Sequence, residues 1–164
     1  MRLAILTISD AGARGERADT SGDAIAAWGA SRAYTLGARE IVRDDVSSIV
    51  ARLIEWSDDD VADLILTTGG TGLSPTDVTP EATRVVIERD APGIAERIRV
   101  QSMSSFPRAA LSRGLSGVRA RTLIVNLPGS TGGVRDGLAA LDAIVDHAIQ
   151  ILRGEATDHS PAAK

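Results

Sequence analysis

Residues 63–72 read DLILTTGGTG, an apolar run that passes directly into a loop with three glycines in four positions. A short apolar run that ends in turn residues is typical of a buried strand. Ahead of it, residues 46–54 repeat apolar side chains at the 3.6-residue spacing of a helix. A helix, a buried strand and a glycine-rich loop in succession predict an α/β fold with a parallel sheet, because parallel strands need long crossovers.

The same alternation continues on both sides of this stretch, with no internal repeat and no linker that would divide the chain. Strands are predicted at residues 3–8, 34–42, 63–68, 115–118 and 122–127. Helices are predicted at residues 21–33, 46–57, 80–86, 92–105 and, as one long final helix, 134–152, with a helical turn at 109–113. We expect a loop at residues 10–22, one domain over residues 1–153 and a disordered tail at residues 154–164.

The side chains that the sequence lacks exclude several kinds of catalysis. Among 164 residues there is no Cys, His occurs twice, and the one Lys is the final residue, Lys164. A thiolate nucleophile, a thiolate zinc site, a Schiff base and a P-loop lysine are therefore excluded. The groups left for chemistry are carboxylates, Arg, hydroxyls and backbone N–H groups.

The charge and the apolar runs argue against two further classes of partner. A net charge of −4 with four aromatic residues is unlike a nucleic-acid binder, which needs a basic surface and stacking side chains. No apolar run approaches the roughly 20 residues of a membrane span, and the short run after Met1 is unlike a secretory signal. We therefore expect no nucleic-acid partner, no membrane contact and a cytoplasmic location.

The glycine-rich loop is the strongest candidate for a phosphate site. Its backbone N–H groups can approach a ligand at Gly69, Gly70 and Gly72, beside the hydroxyls of Thr68 and Thr71. It lacks the third glycine of a Rossmann fingerprint and the Lys of a Walker A loop. The alternative is a tight turn whose glycines serve only to allow positive φ angles.

Two acidic positions at the ends of predicted elements are candidate Mg²⁺ ligands. Asp77 precedes a helix that Thr79 is predicted to cap, and Asp44 follows a strand beside Asp45, the predicted cap of the next helix. In phosphate sites Mg²⁺ is usually held through one or two carboxylates. The alternatives are an Asx turn or helix-start electrostatics at Asp77, and a role for Asp45 in place of Asp44.

Further polar and turn residues follow strands or open helices, and these can meet at the edge of a parallel sheet where ligands bind. Each can contact a ligand or serve as an ordinary cap or turn, and the sequence leaves both open. They are Ser9, Asp10, Ser21, Gly22, Ser112, Arg113, Pro128, Gly129 and Ser130.

Six motifs occur in order: TISD at 7–10, DTSG at 19–22, TGGTG at 68–72, DVTPEAT at 77–83, LSR at 111–113 and NLPG at 126–129. In this order and spacing, across residues 3–152, the sequence resembles the MogA/MoaB family of molybdenum cofactor biosynthesis, to which the gephyrin G domain belongs. The resemblance implies a three-layer α/β/α sandwich with a mostly parallel central sheet, assembled as a homotrimer. It also implies transfer of AMP from Mg-ATP to the terminal phosphate of molybdopterin, with later hand-over to a molybdenum insertase.

The resemblance assigns roles to the candidate residues. Asp77 and Asp44 become catalytic carboxylates that hold Mg²⁺, and Thr68 with residues 69–72 becomes a substrate and nucleotide loop, while the nine polar and turn residues become further contacts. Thr76 stands where many relatives carry a basic residue, so one phosphate contact is missing or comes from another Arg. A MoaB-type protein that binds molybdopterin without adenylylating it, and a nucleotide-binding regulatory domain, stay open as alternatives.

Overall fold

A computed structural model describes residues 1–155 and centres on a six-stranded sheet in the order β2-β1-β3-β6-β5-β4. The strands are β1 (Arg2–Ile8), β2 (Thr35–Val42), β3 (Leu64–Thr68), β4 (Arg89–Asp90), β5 (Ser116–Arg119) and β6 (Thr122–Leu127). The helices are α1 (Asp10–Ala13), α2 (Thr20–Ser31), α3 (Val46–Asp58), α4 (Thr79–Val86), α5 (Pro92–Met103), α6 (Thr131–Leu141) and α7 (Val145–Arg153), with a 3-10 helix at Pro107–Leu111. Most of the predicted tail, residues 156–164, lies outside the described residues.

The predicted mostly parallel sheet is confirmed. Strands β2, β1, β3 and β6 are parallel, and β5 and β4 extend the sheet in the antiparallel direction. Only Ala120 and Arg121 separate β5 from β6, and so short a connection permits a hairpin but no parallel crossover. Strand β4 was not predicted, because its two polar residues carry no strand pattern.

Successive side chains of the central strands point to opposite faces of the sheet and fill two separate cores. Leu64 and Leu66 pack with α2, α5, α6 and α7 on one face, and Ile65 packs with α3 and α4 on the other. Both faces are therefore covered, which gives the three-layer α/β/α sandwich that the resemblance implied. Within residues 1–155, no helix combines the length and the apolarity needed to cross a bilayer.

The apolar stripe of residues 134–152 belongs to two helices, so the prediction of one long final helix is wrong. Helices α6 and α7 meet at a corner formed by residues 142–144. The carboxylate of Asp142 at this corner accepts hydrogen bonds from Trp28 Nε1 (2.8 Å) and Arg32 Nη1 (2.9 Å). Both helices face the same core, so the apolar spacing continues through the break and hides it.

The segment 10–22 is more ordered than the predicted loop, because it contains α1 and the start of α2. The Ser9 hydroxyl caps α1 by accepting the N–H of Gly12 (3.1 Å). The Asp19 carboxylate caps α2 by accepting the N–H of Gly22 (2.8 Å). Capping therefore gives a structural role to Ser9, one of the residues that the sequence left between a ligand contact and a cap.

Asp45 is the N-cap of α3, as predicted. Its carboxylate accepts hydrogen bonds from the N–H of Ser48 (2.9 Å) and from the hydroxyls of Ser47 and Ser48 (both 2.6 Å). These side-chain hydrogen bonds, helped by the backbone one, lower the pKa of Asp45 to about 2. Asp45 is thus committed to the helix, and Asp44 is the carboxylate left free for a site.

We expect Asp45→Ala to lower the free energy of unfolding by about 1 kcal/mol, the usual cost of losing a helix cap. The folded-state pKa of Asp45 lies below its ordinary value of 3.8. The stabilisation is therefore fully present above that value and is lost as the pH falls towards 2. Urea unfolding of both proteins at neutral and at acidic pH measures the effect. Asp59→Ala, at the other end of α3, is the matched control, and an Asp45 effect that persists in acid contradicts the cap.

Candidate active site

The carboxyl ends of β1, β3 and β6 lie side by side at one edge of the sheet. Thr7 pairs with Thr68, and Thr68 pairs with Leu127, so the segments that follow these strands leave at one level. Strand β2 ends level with β1, which brings Asp44 to the same edge. The structure therefore gathers the segment 10–22, which we call the first loop, the glycine-rich loop and residues 128–130 where parallel sheets bind their ligands.

Gly69 and Gly70 turn the chain away from β3 with φ angles of +101° and +61°. A Cβ at Gly69 would lie 2.2 Å from the carbonyl oxygen of Ile8, closer than any side chain tolerates. The Thr79 hydroxyl donates to the Gly69 carbonyl (2.9 Å), and the Thr79 N–H donates to the Gly70 carbonyl (3.1 Å). The two glycines are thus required by a turn that ties the loop to the start of α4.

Thr79 is not the N-cap of α4, which corrects the sequence-based assignment. The helix begins at Thr79, with Val78 in the cap position and no capping side-chain hydrogen bond. The buried Thr79 hydroxyl bonds instead to the Gly69 carbonyl, ten residues earlier in the chain. A Thr before a Pro is typical of a local helix cap. The more distant acceptor of the Thr79 hydroxyl, the Gly69 carbonyl, is apparent only in the folded structure.

Asp44 and Asp10 are joined by reciprocal hydrogen bonds. Asp44 Oδ2 accepts the N–H of Asp10 (2.8 Å), and Asp10 Oδ1 accepts the N–H of Asp44 (3.3 Å). Burial of the carboxyl raises the pKa of Asp44, and the charges of Asp10 and Asp77 raise it further, against a lowering by the Asp10 N–H. Arg43 lies 3.6 Å from Asp10 Oδ1 on the exposed side. Negative charge therefore accumulates around Asp44.

The Asp77 side chain closes a turn with Ser74, three residues earlier, so it does not form the Asx turn considered from the sequence, in which Asp accepts an N–H two residues later. Its Oδ2 accepts the N–H of Ser74 (2.9 Å), and it would lie 2.8 Å from a Cβ at Gly72. Its other carboxylate oxygen, Oδ1, has no hydrogen-bond partner among residues 1–155. The turn therefore holds the side chain in place and leaves one oxygen for a ligand.

These carboxylates fit a Mg²⁺ ion that is shared with phosphates. Within residues 1–155, no group of three or more Asp, Glu, His or Cys side chains is placed to hold a metal ion by itself. Mg²⁺ usually takes only one or two carboxylates, and water and substrate phosphates complete its octahedral shell. Burial, and to a smaller extent the charges of Asp10 and Asp77, raise the pKa of Asp44 by disfavouring its ionised form, and a bound cation would favour that form.

Arg113 braces the segment that carries Asp77. Its Nε donates to the Gly72 carbonyl (2.7 Å), its Nη2 donates to the Asp77 carbonyl (2.5 Å), and its Nη1 pairs with Glu81. The guanidinium is thus engaged with the protein, while Ser112 beside it lines a cavity. A direct ligand contact from Arg113 stays a prediction, and it would require one of these bonds to be exchanged.

Asn126 connects three elements beneath the site. Its amide nitrogen donates to the hydroxyls of Thr67 on β3 and Thr83 on α4 (both 2.9 Å), and its oxygen accepts the N–H of Leu115 (3.1 Å). Asn126 and both threonines are buried. A fully satisfied buried network of this kind fixes α4, and with it the Asp77 turn, against the sheet.

Two cavities flank this turn. The larger, about 640 Å³, lies between α5, the 3-10 helix and α6, and apolar residues such as Ala95, Ile98, Phe106 and Leu111 line much of it. The smaller, about 430 Å³, lies between the first loop and the carboxylates, and its polar lining includes Ser9, Arg17, Asp44 and Thr76. Four residues, which we call the shared wall, line both cavities: Gly70, Asp77, Gly129 and Ser130.

Most of the predicted site residues line one of these cavities. Ser9, Ser21, Thr68, Gly69 and Asp44 line the smaller one, and Thr71, Gly72, Ser112 and Pro128 line the larger one. Asp10, Gly22 and Arg113 line neither cavity and act through hydrogen bonds to their neighbours. The roles of all these residues towards ligands stay predictions.

Three predicted ligand hydroxyls already have structural partners. Thr68 Oγ1 donates to the Pro128 carbonyl (2.7 Å), and Ser21 Oγ donates to the Gly129 carbonyl (2.9 Å). The Ser130 hydroxyl caps α6, as the N–H of Gly133 donates to it (3.2 Å). These hydrogen bonds set the position of residues 128–130. The three hydroxyls therefore act at least in part by shaping the cavities.

The cavity residues that the sequence-based reasoning missed include Arg17, Phe106 and Arg108. Arg17 lines the smaller cavity, and the other two line the larger one. The guanidinium carbon of Arg108 lies 5.0 Å from the centre of the Phe106 ring. In a chain with this much Arg, spacing alone does not separate a cavity Arg from a surface Arg. Phe106 carried one usable signal, since it is one of only four aromatic residues.

The fold and the site together define an α/β protein with two adjoining cavities at the carboxyl edge of its sheet. Residues 4–147 match the family described as a probable molybdopterin binding domain, and the chain belongs to this family. The match confirms the resemblance seen in the ordered motifs.

Individual relatives agree with the family match. The chain is 40% identical over 149 residues to the molybdenum cofactor synthesis protein cinnamon of Drosophila melanogaster, covering 90% of this chain and 25% of that protein. It is 35% identical over 158 residues to the molybdopterin adenylyltransferase of Helicobacter pylori J99, covering 94% and 89%. The crystal structure of MoaB from Thermus thermophilus is similar with a TM-score of 0.89 and 47% identity, covering 96% and 99%. The chain thus spans about a quarter of the Drosophila protein and nearly all of the two bacterial ones.

Proposed function

We propose that the protein transfers AMP from Mg-ATP to the terminal phosphate of molybdopterin, which yields adenylyl-molybdopterin and pyrophosphate. The observation that carries this proposal is the shared wall, which borders both an apolar and a polar cavity at the sheet edge. The proposed reaction joins a substrate with a flat heterocycle, which suits an apolar cavity, to a nucleotide polyphosphate, which suits a polar cavity. The Helicobacter pylori relative, similar along nearly its whole length, bears the name molybdopterin adenylyltransferase.

We assign molybdopterin to the larger cavity. Its volume of about 640 Å³ is in the usual range for small-molecule sites, and its apolar lining suits a flat heterocycle. Phe106 and Arg108 offer an aromatic face and a planar cation on which a pterin ring can stack. The shared wall borders this cavity as well as the smaller one, so the terminal phosphate must arrive there.

We assign the nucleotide phosphates to the smaller cavity. Asp44 and Asp77 would hold Mg²⁺ there, and the backbone of Gly69 and Gly70 lies beside them. When bound, Mg²⁺ offsets phosphate charge and orients the leaving pyrophosphate. The carboxylates alone would repel ATP, so under this assignment we expect the reaction to require the metal.

The chemistry needs little activation by the protein. An oxygen of the molybdopterin phosphate forms a bond to the α-phosphorus of ATP, the bond from that phosphorus to the β-bridging oxygen breaks, and pyrophosphate leaves. The attacking oxygen is already anionic, so the lack of Cys and of internal Lys is no obstacle. The residues of the two cavities act by aligning two polyanions and offsetting their repulsion.

Incubation of the purified protein with molybdopterin, Mg²⁺ and ATP tests the proposal. We expect adenylyl-molybdopterin and pyrophosphate in equal amounts, and no product without Mg²⁺ or with an ATP analogue whose α,β-bridge is a methylene group. Tight pterin binding without product would favour a MoaB-type binding protein. ATP binding without pterin affinity would favour a nucleotide-binding regulatory domain.

We further propose a homotrimer in the cytoplasm that hands its product to a molybdenum insertase, with molybdopterin and ATP as its small-molecule partners. The family resemblance of the ordered motifs supports this assembly and this place in the pathway. Light scattering on a sizing column should give about three times the chain mass of 17.1 kDa. A stable monomer at all concentrations would contradict the trimer.

A further inference from the structure

We propose that Arg17 binds the phosphate chain of the nucleotide in the smaller cavity. No sequence motif marks this residue, and the proposal concerns its charge and its position. It rests on the proposed function, since it assumes that the smaller cavity holds nucleotide phosphates.

The position of Arg17 is fixed on both sides along the chain. On one side, the N–H of Glu16 donates to the Ala11 carbonyl (2.9 Å), which closes the turn after α1. On the other side, the Asp19 carboxylate accepts hydrogen bonds from the Thr7 hydroxyl (3.0 Å) and from the backbone that it caps. Only two residues lie between these anchors, so the backbone of Arg17 is held at the cavity.

Among the charged residues around the smaller cavity, Arg17 is the cation that is available to bind a ligand. Asp19, Asp44 and Asp77 line it, and Asp19 is neutralised by Arg39 at 2.7 Å. Arg17 is the one cation among the described residues that line this cavity, and it forms no ion pair or hydrogen bond within residues 1–155.

A polyphosphate in this cavity meets two unneutralised carboxylates, Asp44 and Asp77. Mg²⁺ can offset these carboxylates, but the phosphate oxygens that do not bind the metal still lack a cationic partner. A guanidinium suits that role, because it stays charged and donates in a planar fork that matches phosphate oxygens.

Thr76 lines the same cavity and cannot supply this charge. Its hydroxyl lies 3.0 Å from that of Ser74 in the turn before α4. A cation introduced at position 76 would enter the same space from the side of the shared wall. Removing the cation at position 17 and adding one at position 76 therefore tests the role of positive charge within one cavity.

Mg-ATP binding by isothermal titration calorimetry and steady-state adenylylation together test Arg17. We expect Arg17→Ala to raise the Kd and the KM for ATP about 10- to 100-fold, as for loss of a charged hydrogen bond, with the KM for molybdopterin within about 2-fold. Arg17→Lys should recover part of the affinity, because it keeps the charge and loses the fork. Arg14→Ala is the matched control, since Arg14 lies three residues away, pairs with Glu16 (2.9 Å) and does not line the cavity.

Moving the charge completes the test. Thr76→Arg added to Arg17→Ala should restore much of the ATP affinity. An Arg17→Ala protein with unchanged ATP affinity overturns the proposal, and so does one that loses molybdopterin and ATP binding together with thermal stability. A wild-type protein that binds Mg-ATP but forms no product overturns only the adenylyltransferase function. In that case the ATP affinities of the wild type and of Arg17→Ala still test the role of Arg17. A wild-type protein that does not bind Mg-ATP overturns both.

Discussion

Asp77→Asn is expected to lower the rate of adenylyl-molybdopterin formation by roughly 10³-fold, the scale of losing one preorganised electrostatic contact in a group-transfer site. The amide oxygen of Asn can still accept the N–H of Ser74, which now bonds to Asp77 Oδ2 at 2.9 Å. The turn should therefore survive, while the negative charge for Mg²⁺ is removed. Affinity for molybdopterin should change little, because the apolar lining of its cavity is untouched.

The same assay with Asp59→Asn controls for the loss of a surface charge, since Asp59 ends α3 on the exposed surface and should leave the rate unchanged. Molybdopterin affinity is followed by equilibrium titration of both variants. If Asp77→Asn weakened pterin binding as much as turnover, Asp77 would be structural and the proposed division of the two cavities would be wrong. Asp44→Asn should lower turnover in the same way, because the second carboxylate faces the same phosphates.

Gly69→Ala is expected to cost about 3–5 kcal/mol of folding free energy, at the upper end of single substitutions. The φ angle of +101° is strained for any L side chain, and the new Cβ would lie 2.2 Å from the Ile8 carbonyl oxygen. That oxygen belongs to the last residue of β1, in the middle of the sheet, and cannot move without disturbing neighbouring strands. Relief of the clash would also displace the loop that joins Thr79 to Gly69.

Gly132→Ala is the matched control for this effect. Gly132 lies in the first turn of α6 with ordinary φ, and nothing lies within 4 Å of a Cβ placed there. Ala is the better helix former, so the variant should be as stable as the parent or slightly more stable. Urea unfolding at one fixed protein concentration compares the three proteins, because association would make stability depend on concentration. Equal losses at both positions would contradict the steric argument at Gly69.

The sequence predicted what depends on local patterns. The run of residues 63–68 is a central strand because its side chains are apolar on both faces, and the glycines that follow it announce a turn. Asp45 was the predicted cap because it lies directly before the apolar period of α3, although the sequence alone left open which of Asp44 and Asp45 serves the site. Placing the loops at one edge followed from the parallel sheet alone.

What the sequence could not predict depends on partners far away in the chain. The break at residues 142–144 is held by side chains of α2 and its end, and Thr79 bonds to a loop carbonyl where a cap was expected. Arg17 stands out only when the cavity and the ion pairs of its neighbours are known. In each case the outcome depends on a long-range hydrogen bond or on the charge balance of a cavity, and neither can be predicted from the local spacing of residues in the sequence.

The shared wall has a consequence for how the protein can diverge. A side chain at Gly70 would lie 2.4 Å from the Thr79 hydroxyl oxygen, and one at Gly129 would lie 3.2 Å from the Gly69 backbone. A side chain added at either glycine would disturb both binding spaces at once, so at these two positions selection for one substrate penalises the other. Phe106 borders only one space and Thr76 only the other. Preferences for the two substrates can therefore evolve independently at these outer positions, provided that the wall stays constant.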